Sequence, residues 1–189
     1  MPSATILLAR HGETDWNAER RFQGHADEPL NAEGRRQART LAELVSGESL
    51  VAIYSSDLRR ALETAEIVGE RLGLPVETRS GLREIDVGEF RGLTYEEIVV
   101  RWPEVPQRTE RLGYGWLEGE SYDELGTRVF DELRAIAGRH CGSTVLVVGH
   151  GAMMRVVLAS TAGLDLVSHR RVLGPIGNCA VHRLELEAD

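Results

Sequence analysis

The feature that most constrains the fold is the alternation of apolar runs of strand length with stretches of helical periodicity. This order is typical of an α/β domain built on a mostly parallel sheet. The segments between the apolar runs are long enough to cross from one parallel strand to the next. The predicted strands are residues 5–9, 50–54, 76–78, 144–148 and 180–186.

Polar residues mark where the predicted helices begin. Asn31 and Asp57 stand before two of them as candidate caps. Thr94 and Ser121 are each followed by a Glu in the capping-box pattern, which predicts helix starts at both places. The predicted helices are residues 32–45, 58–72, 122–139 and 152–162.

Length and composition indicate one globular domain. The chain has 189 residues, of which 42% are hydrophobic and 28% charged, and no repeat or linker divides it, so residues 1–189 are predicted to form a single domain. No apolar stretch approaches the roughly 18 residues of a membrane span. The first residues lack the basic and apolar regions of a secretory signal, so we expect a cytoplasmic protein without a membrane segment.

Charge and cysteine content argue against several functions. The net charge of -8 disfavours a nucleic-acid surface. Cys141 and Cys179 lack the spacing of a metal or redox motif, so we expect two reduced thiols. All 22 basic residues are Arg, which removes Schiff-base and P-loop chemistry because both need Lys. Anion binding would therefore rest on Arg, His and backbone amides.

Two of the predicted strands end in a histidine followed by glycine, at His11 and at His150. Ligands of open α/β sheets bind beyond the carboxyl ends of the strands, where Arg10 and Arg59 are also expected. Glycine lets the backbone approach a ligand, and an Arg fork binds two phosphate oxygens with roughly 1.5–3 kcal/mol per charge-assisted bond. The pattern predicts an anion pocket in which either histidine could attack phosphorus.

Hydrolysis of a phosphate ester also needs a proton donor for the leaving oxygen. Glu84 follows a short predicted strand and has apolar neighbours, but Asp86 and Glu89 are equally visible in the same run. The residues alone leave this choice open. No role is predicted for the other histidines, His25, His140, His169 and His182.

The least regular part of the sequence is the segment 89–120, which prolines and glycines interrupt. We interpret it as a lid or substrate-specificity segment. Its cationic and aromatic residues could form a second anionic or stacking site, or simply a solvated loop with aromatic anchors. They are Arg101, Arg108, Arg111, Tyr114 and Trp116.

Motifs along nearly the whole chain resemble those of the histidine phosphatase superfamily, in its phosphoglycerate mutase-like branch. The resembling runs are LARHGETDWN at 8–17, QG at 23–24, PL at 29–30, SSDLRRALETA at 55–65, LREIDVGEF at 82–90, GES at 119–121 and VVGHG at 147–151. The resemblance implies a three-layer α/β/α fold that uses no metal and no organic cofactor.

The resemblance also implies roles for individual residues. His11 would be the nucleophile that carries the phosphoryl group, and Glu84 the proton donor. The phosphate pocket would be completed by Arg10, Arg59 and His150. Three further positions match family residues that contact the phosphoryl group or its surroundings, namely Asn17, Gln23 and Gly24.

The sequence departs from the family near the expected substrate entrance. Arg91 stands where the family often has Glu, and residues 116–119 replace a commoner Pro-Gly-Gly type of sequence. These departures leave the catalytic motifs intact. They prevent the assignment of a substrate by analogy with the family.

Three functions compete at this stage. We expect a phosphatase that acts on a small phosphorylated metabolite. A phosphoglycerate mutase would use the same phosphohistidine, but it would require a longer insertion after Glu84 to shield the phosphoenzyme from water. A non-catalytic phosphate-binding module would be expected to have lost one of the site residues. A homodimer is left open.

Overall fold

The structure is a computed structural model, and it describes residues 3–108, 116, 118–165 and 174–187. The strands are β1 (Ser3–Arg10), β2 (Leu50–Ser55), β3 (Val76–Thr78), β4 (Thr144–Gly149) and β5 (Val181–Glu187). Over the described residues they form one five-stranded sheet in the order β3-β2-β4-β1-β5. Each predicted strand is present, with ends that differ by at most a few residues.

The sheet brings together strands that are far apart in the sequence. β1, β4, β2 and β3 run parallel, while β5 lies antiparallel to β1 at one edge. β1 and β4 are direct neighbours, with Arg10 opposite Gly149. The carboxyl ends of the parallel strands therefore meet at one edge of the sheet, which is where ligands bind in such folds.

Helices cover both faces of this sheet. They are α1 (Asp15–Ala18), α2 (Ala32–Val45), α3 (Arg59–Leu72), α4 (Tyr95–Arg101), α5 (Val105–Arg108), α6 (Tyr122–Arg139) and α7 (Gly151–Thr161), with short 3-10 helices at Ser80–Leu82 and Gly88–Phe90.

Successive residues of β1 face two different cores, because side chains alternate across a strand. Ile6 and Leu8 join the core that includes buried residues of α6 and α7. Leu7 and Ala9 join the core that includes buried residues of α2 and α3. Full burial of an Ile or Leu side chain contributes roughly 1.5–3 kcal/mol, so both faces of the sheet are strongly held. The α/β prediction with three layers is confirmed.

The helix starts agree with the sequence except at α3. Asn31, Thr94 and Ser121 cap their helices, the last two within capping boxes. Asp57 was predicted to cap α3, and this is wrong. The N-cap of α3 is Leu58, without a side-chain bond, because both carboxylate oxygens of Asp57 accept from the Arg83 guanidinium at 2.7 and 2.6 Å.

The described part of the segment 89–120 is more regular than its prolines and glycines suggest. It contains α4 and α5, and it contributes buried side chains of Phe90, Ile98 and Val105 to the main core. Residues 109–115 and 117 lie outside the described residues. Movement of this segment as a lid stays a prediction.

Among the helices that the structure describes, none combines the length and the apolar character that a membrane crossing requires.

Candidate active site

A cavity of about 200 Å³ opens where β1 and β4 end side by side. The His11 backbone N–H donates to the Gly149 carbonyl at 3.0 Å, which extends the pairing of β1 and β4 beyond the strands. This register brings the rings of His11 and His150 within 5.2 Å of each other, measured between centroids. The two histidines predicted at strand ends therefore meet, because parallel neighbours deliver their last residues to one place.

The His11 ring is buried and held in one orientation. Its Nδ1 lies 2.6 Å from the Gly12 carbonyl oxygen, which can only accept, so Nδ1 carries the proton. Nε2 then keeps its lone pair, and it accepts from Arg60 Nε at 3.2 Å. Burial, together with the charges of Arg60 and Arg10, holds the pKa of His11 well below its ordinary 6.5. The result is a neutral imidazole with a nucleophilic nitrogen.

Gly12 allows the sharp turn after His11. A Cβ atom at Gly12 would lie 2.5 Å from the carbonyl oxygen of Gly34, in the first turn of α2. The Gly12 amide donates to Thr64 Oγ1 at 3.0 Å. A side chain at this position would push the loop away from α2 and α3 and move the imidazole.

The arginine beside His11 is Arg60, and the prediction of Arg59 for this position is wrong. Arg59 is exposed and does not line the cavity, whereas Arg60 is fully buried with an exposure of 0%. Both residues lie in the first turn of α3, where neighbouring positions point about 100° apart. The helical period gives a partial signal, since Arg60 shares a face of α3 with Thr64 and Val68, but only the packing of α3 shows that this face is the buried one.

Arg60 is anchored by backbone carbonyls. Its Nη1 donates to Ala26 at 2.7 Å and its Nη2 to Gly24 at 2.8 Å. Burial lowers the pKa of Arg60 to about 10. The guanidinium therefore stays positively charged at neutral pH beside the His11 nucleophile.

Arg10 and His150 contribute buried polar atoms that no described residue satisfies. Arg10 Nη1 donates to the Ile176 carbonyl at 2.6 Å, but its Nε has no described partner, and neither has either ring nitrogen of His150. Burial, followed by the charge of Arg60, holds the pKa of His150 well below 6.5. An unsatisfied buried donor or acceptor costs roughly 1–3 kcal/mol, so a bound anion would recover free energy here.

Glu84 lines the cavity at the start of α7. Its carboxylate accepts from the backbone N–H groups of Ala152 and Met153 at 3.1 and 3.2 Å. The start of α7 therefore fixes the position of this carboxyl group. Asp86 and Glu89 do not line the cavity, and Glu89 is exposed. Of the three acidic candidates, the structure brings only Glu84 to the histidines.

Asn17, Gln23 and Gly24 all line the cavity. The side-chain oxygen of Asn17, Oδ1, already accepts from the Thr14 backbone N–H at 3.1 Å and from Asn178 Nδ2 at 3.3 Å, so the side-chain NH₂ group is the part available to an anion. Gln23 is buried. Gly24 has φ of +49°, and it holds Arg60 through its carbonyl.

Several residues that sequence reasoning missed surround the mouth of the cavity. His25, for which no role was predicted, donates from Nε2 to the Glu84 carbonyl at 2.8 Å. Trp116, predicted for a second site in the segment 89–120, lines the cavity. Arg101, predicted for the same site, instead stacks its guanidinium on the Trp102 ring, with Cζ 4.8 Å from the ring centroid. Arg111 and Tyr114 of the proposed second site lie outside the described residues, and so does the side chain of Arg108. The newly found lining residues are Arg21, Phe22, Ile85, Val87, Tyr122 and Ala152.

The chemistry of the cavity is that of an anion site. Its donors are guanidinium, imidazole and amide groups, and burial raises the pKa of the nearby Cys179 thiol to about 12, so it stays protonated. Among the described residues, no three His, Cys, Asp or Glu side chains cluster as metal ligands would. Guanidinium and imidazole N–H groups are suited to the oxygens of a phosphoryl group.

Comparison with known proteins agrees with this geometry. Phosphoglycerate mutase-like protein 4 of Arabidopsis thaliana is 43% identical over 80% of this chain and 68% of its own length. Probable phosphoglycerate mutase GpmB of Yersinia enterocolitica is 35% identical over 96% of this chain and 85% of its own.

Solved structures with the same fold include phosphatases. YhfR of Bacillus stearothermophilus superposes with a TM-score of 0.88 at 35% identity, covering 97% of this chain and 92% of its own. Mycobacterial glucosyl-3-phosphoglycerate phosphatase superposes with a TM-score of 0.84 at 33% identity, covering 95% and 90%. The family model of the histidine phosphatase superfamily (branch 1) matches residues 6–189. With the paired histidines and their arginines in place, the chain belongs to branch 1 of the histidine phosphatase superfamily.

Proposed function

We propose that this protein is a phosphatase that hydrolyses phosphate monoesters of small metabolites through a phosphohistidine on His11, without a metal. One observation carries the proposal. The neutral His11 ring presents Nε2 in a cavity that Arg10, Arg60 and Glu84 also line, and the His150 ring lies 5.2 Å from the His11 ring between centroids. Nucleophile, anion clamp and proton donor are thus gathered in one small space.

In the first step, Arg60 Nε–H transfers its hydrogen bond from His11 Nε2 to a phosphoryl oxygen. The freed lone pair of Nε2 attacks phosphorus, and the bond from phosphorus to the ester oxygen breaks. Glu84 in its protonated form gives its proton to the leaving oxygen, so the alcohol departs neutral. The charge on the phosphoryl oxygens is balanced by Arg10 and Arg60, and His150 donates from a ring N–H. The step leaves a phosphohistidine and an ionised Glu84.

In the second step, water attacks the same phosphorus atom while Glu84 takes a proton from the attacking water. The bond from phosphorus to Nε2 breaks, inorganic phosphate leaves, and His11 returns to its neutral form. Glu84 is again protonated. The sum is one ester and one water consumed, and one alcohol and one phosphate released.

Similar proteins support a small substrate of this kind. Among the solved structures are glucosyl-3-phosphoglycerate phosphatase and a phosphoserine phosphatase from Entamoeba histolytica, the latter with a TM-score of 0.82 at 25% identity. The cavity of about 200 Å³ is smaller than sites that enclose drug-sized ligands, which occupy roughly 300–1,000 Å³. The substrates in the names of these relatives are small metabolites, and we propose a substrate of the same class.

A phosphoglycerate mutase is the second candidate, because the relative at 43% identity is named phosphoglycerate mutase-like and the relative at 35% identity is named a probable phosphoglycerate mutase. A mutase must return the phosphoryl group to a second oxygen before water reaches it. Incubation of the protein with 3-phosphoglycerate and a trace of 2,3-bisphosphoglycerate, followed by phosphorus NMR, distinguishes the two. Net formation of 2-phosphoglycerate faster than that of inorganic phosphate would favour the mutase.

The proposed hydrolysis is tested with a panel of phosphorylated metabolites and p-nitrophenyl phosphate, in the presence of EDTA. We expect phosphate release by the wild type and none by His11→Ala, and we expect acid-labile phosphate on the quenched wild type. Activity that disappears in EDTA, or that persists in His11→Ala, would contradict the mechanism. Absence of turnover on the whole panel would instead favour a non-catalytic phosphate-binding module.

A further inference from the structure

Arg128, on α6, donates hydrogen bonds to the backbone of residues 81–86, the turn that carries Glu84. From its contacts we infer that Arg128 and Glu120 are positioning residues that set the place of Glu84 in the cavity. The inference rests on the proposed function, because it concerns the residue proposed there as the proton donor. It assigns a task to two residues that lie outside the lining of the cavity.

Arg128 holds the backbone of the turn by three carbonyl oxygens. Its Nη1 donates to Gly81 at 2.9 Å and to Arg83 at 2.8 Å. Its Nη2 donates to the carbonyl of Glu84 itself at 2.9 Å. The turn is therefore tied to a long helix that packs in the main core, which limits how far Glu84 can move.

Glu120 completes the arrangement from the other side. Its carboxylate accepts from Arg128 Nε at 2.5 Å and from Nη2 at 2.7 Å, as a two-pronged pair. Its backbone N–H donates to the Asp86 carbonyl at 2.9 Å, and the Asp86 N–H donates to Glu120 Oε2 at 3.3 Å. The residues on both sides of Glu84 are thus connected through one ion pair.

The preceding residue, Gly119, shows how closely the two segments approach. A Cβ atom at Gly119 would lie 2.4 Å from the Asp86 carbonyl oxygen. The Glu120 side chain is only 15% exposed and that of Arg128 26%. Water therefore competes little with these bonds.

The guanidinium is suited to this task by its shape. An Arg side chain has five N–H donors in a fixed plane, and the structure supplies acceptors on Gly81, Arg83, Glu84 and both oxygens of Glu120. A displacement of about 1 Å in a catalytic group can reduce the rate by roughly 10²-fold. Loss of Arg128 would release the Glu84 turn and should weaken proton donation more than phosphate binding.

The leaving group provides a test that separates positioning from general stability. A p-nitrophenolate group leaves readily without a proton, whereas the alkoxide of glycerol 3-phosphate needs one. We compare kcat/KM for these two substrates, since this ratio reports the step in which the ester bond breaks. The variants are Arg128→Gln and Glu120→Gln, with Glu84→Gln as the reference and Arg134→Gln, an exposed position on the same helix, as the matched control.

We expect Arg128→Gln to lower kcat/KM for glycerol 3-phosphate by about 10- to 100-fold and for p-nitrophenyl phosphate by less than about threefold. The inhibition constant of inorganic phosphate should stay within about twofold, because the anion clamp is untouched. Glu120→Gln should show the same selective loss to a smaller extent, and it carries the test where Arg128→Gln fails to fold. Arg134→Gln should behave as wild type.

The possible failures are distinguishable. If the wild type turns over neither substrate, the proposed function and the inference both fail. If Glu84→Gln lowers both substrates equally, Glu84 is not the proton donor and the inference fails with that role. If Glu84→Gln is selective but Arg128→Gln and Glu120→Gln lower both substrates equally, or lower neither, only the positioning role is overturned.

Discussion

The ends of β1 and β4 look alike in sequence and differ in how the fold uses them. Each places a histidine beside glycine at the edge of the sheet, and both rings are buried. The His11 ring is bonded on both sides within the protein, by the Gly12 carbonyl and by Arg60. Neither nitrogen of the His150 ring has a described partner.

This difference separates two functions that the His-Gly pattern leaves open. A nucleophile needs a fixed ring with its lone pair at a known position, which the bonds to His11 provide. A group that binds a phosphoryl oxygen needs a nitrogen that is still free to bond, which His150 has among the described residues. We therefore interpret the end of β1 as the reacting end and the end of β4 as the binding end.

The largest expected effect is the loss of the nucleophile. His11→Ala should lower kcat/KM by at least about 10⁴-fold, because no other described group can take the phosphoryl group from this position. Quenched-flow labelling should find no phosphohistidine in this variant. Label retained on His150 would exchange the roles of the two strand ends.

A smaller loss is expected at the end of β4. His150→Ala should lower kcat by about 10²- to 10³-fold, the usual effect of removing one donor to a transition-state oxygen. Labelling of the quenched protein should still find phosphate on His11. Equal and complete loss of labelling in both variants would mean that the two histidines act as one unit.

The arginines at the start of α3 give a contrast between adjacent positions. Arg60→Gln should lower kcat/KM by about 10²-fold, since it removes a charge beside the transferred group, whereas Arg59→Gln should stay within about twofold. Arg60→Lys, which keeps the charge without the planar fork, should lie between them. The reverse order for Arg59 and Arg60 would contradict the placement of α3.

The smallest effect concerns stability at mildly acidic pH. Both histidines have a pKa well below 6.5 in the folded protein, chiefly through burial, so their stabilising contribution is complete above pH 6.5. As the pH falls below 6.5 the unfolded chain takes up protons first, and the free energy of unfolding should decrease by at most about 1.4 kcal/mol per pH unit for each histidine.

Urea unfolding of the free protein at pH 7.5, 6.5 and 5.5 measures this slope. The His150→Asn variant lacks one of the two groups and should lose part of this slope, while His182→Asn, at a half-buried position of the edge strand β5, serves as the control. An unchanged slope in His150→Asn would show that its ring is protonated at the same pH in the folded and unfolded chains.

Much of the fold could be predicted because its signals are local. The apolar runs that became β1 and β4, and the caps at Asn31 and Ser121, are visible within a few residues of sequence. Asp57 also resembles a cap, but its partner is Arg83, which is distant in sequence. Local pattern cannot show a competing bond of that kind.

The same distinction between local signals and contacts between distant residues applies to the site. His11 and His150 could be found from sequence because each is marked by its strand and its glycine. The choice of Arg59 over Arg60 was wrong because it depended on which side of α3 faces the sheet, a property of packing. The choice among Glu84, Asp86 and Glu89 stayed open on the residues alone, since only the contact with the start of α7 distinguishes them.

By itself, the sequence determined an α/β domain with two histidines at strand ends, and its motifs indicated the family. The tertiary structure decided that Arg60 rather than Arg59 reaches His11 and that Arg128 and Glu120 hold the turn of Glu84. It also placed at the cavity the carboxylate that the family motifs had indicated. The physical reason is the range of the interactions. Periodicity and capping act within a few residues, whereas a buried charge selects its partners from elements that only folding brings together.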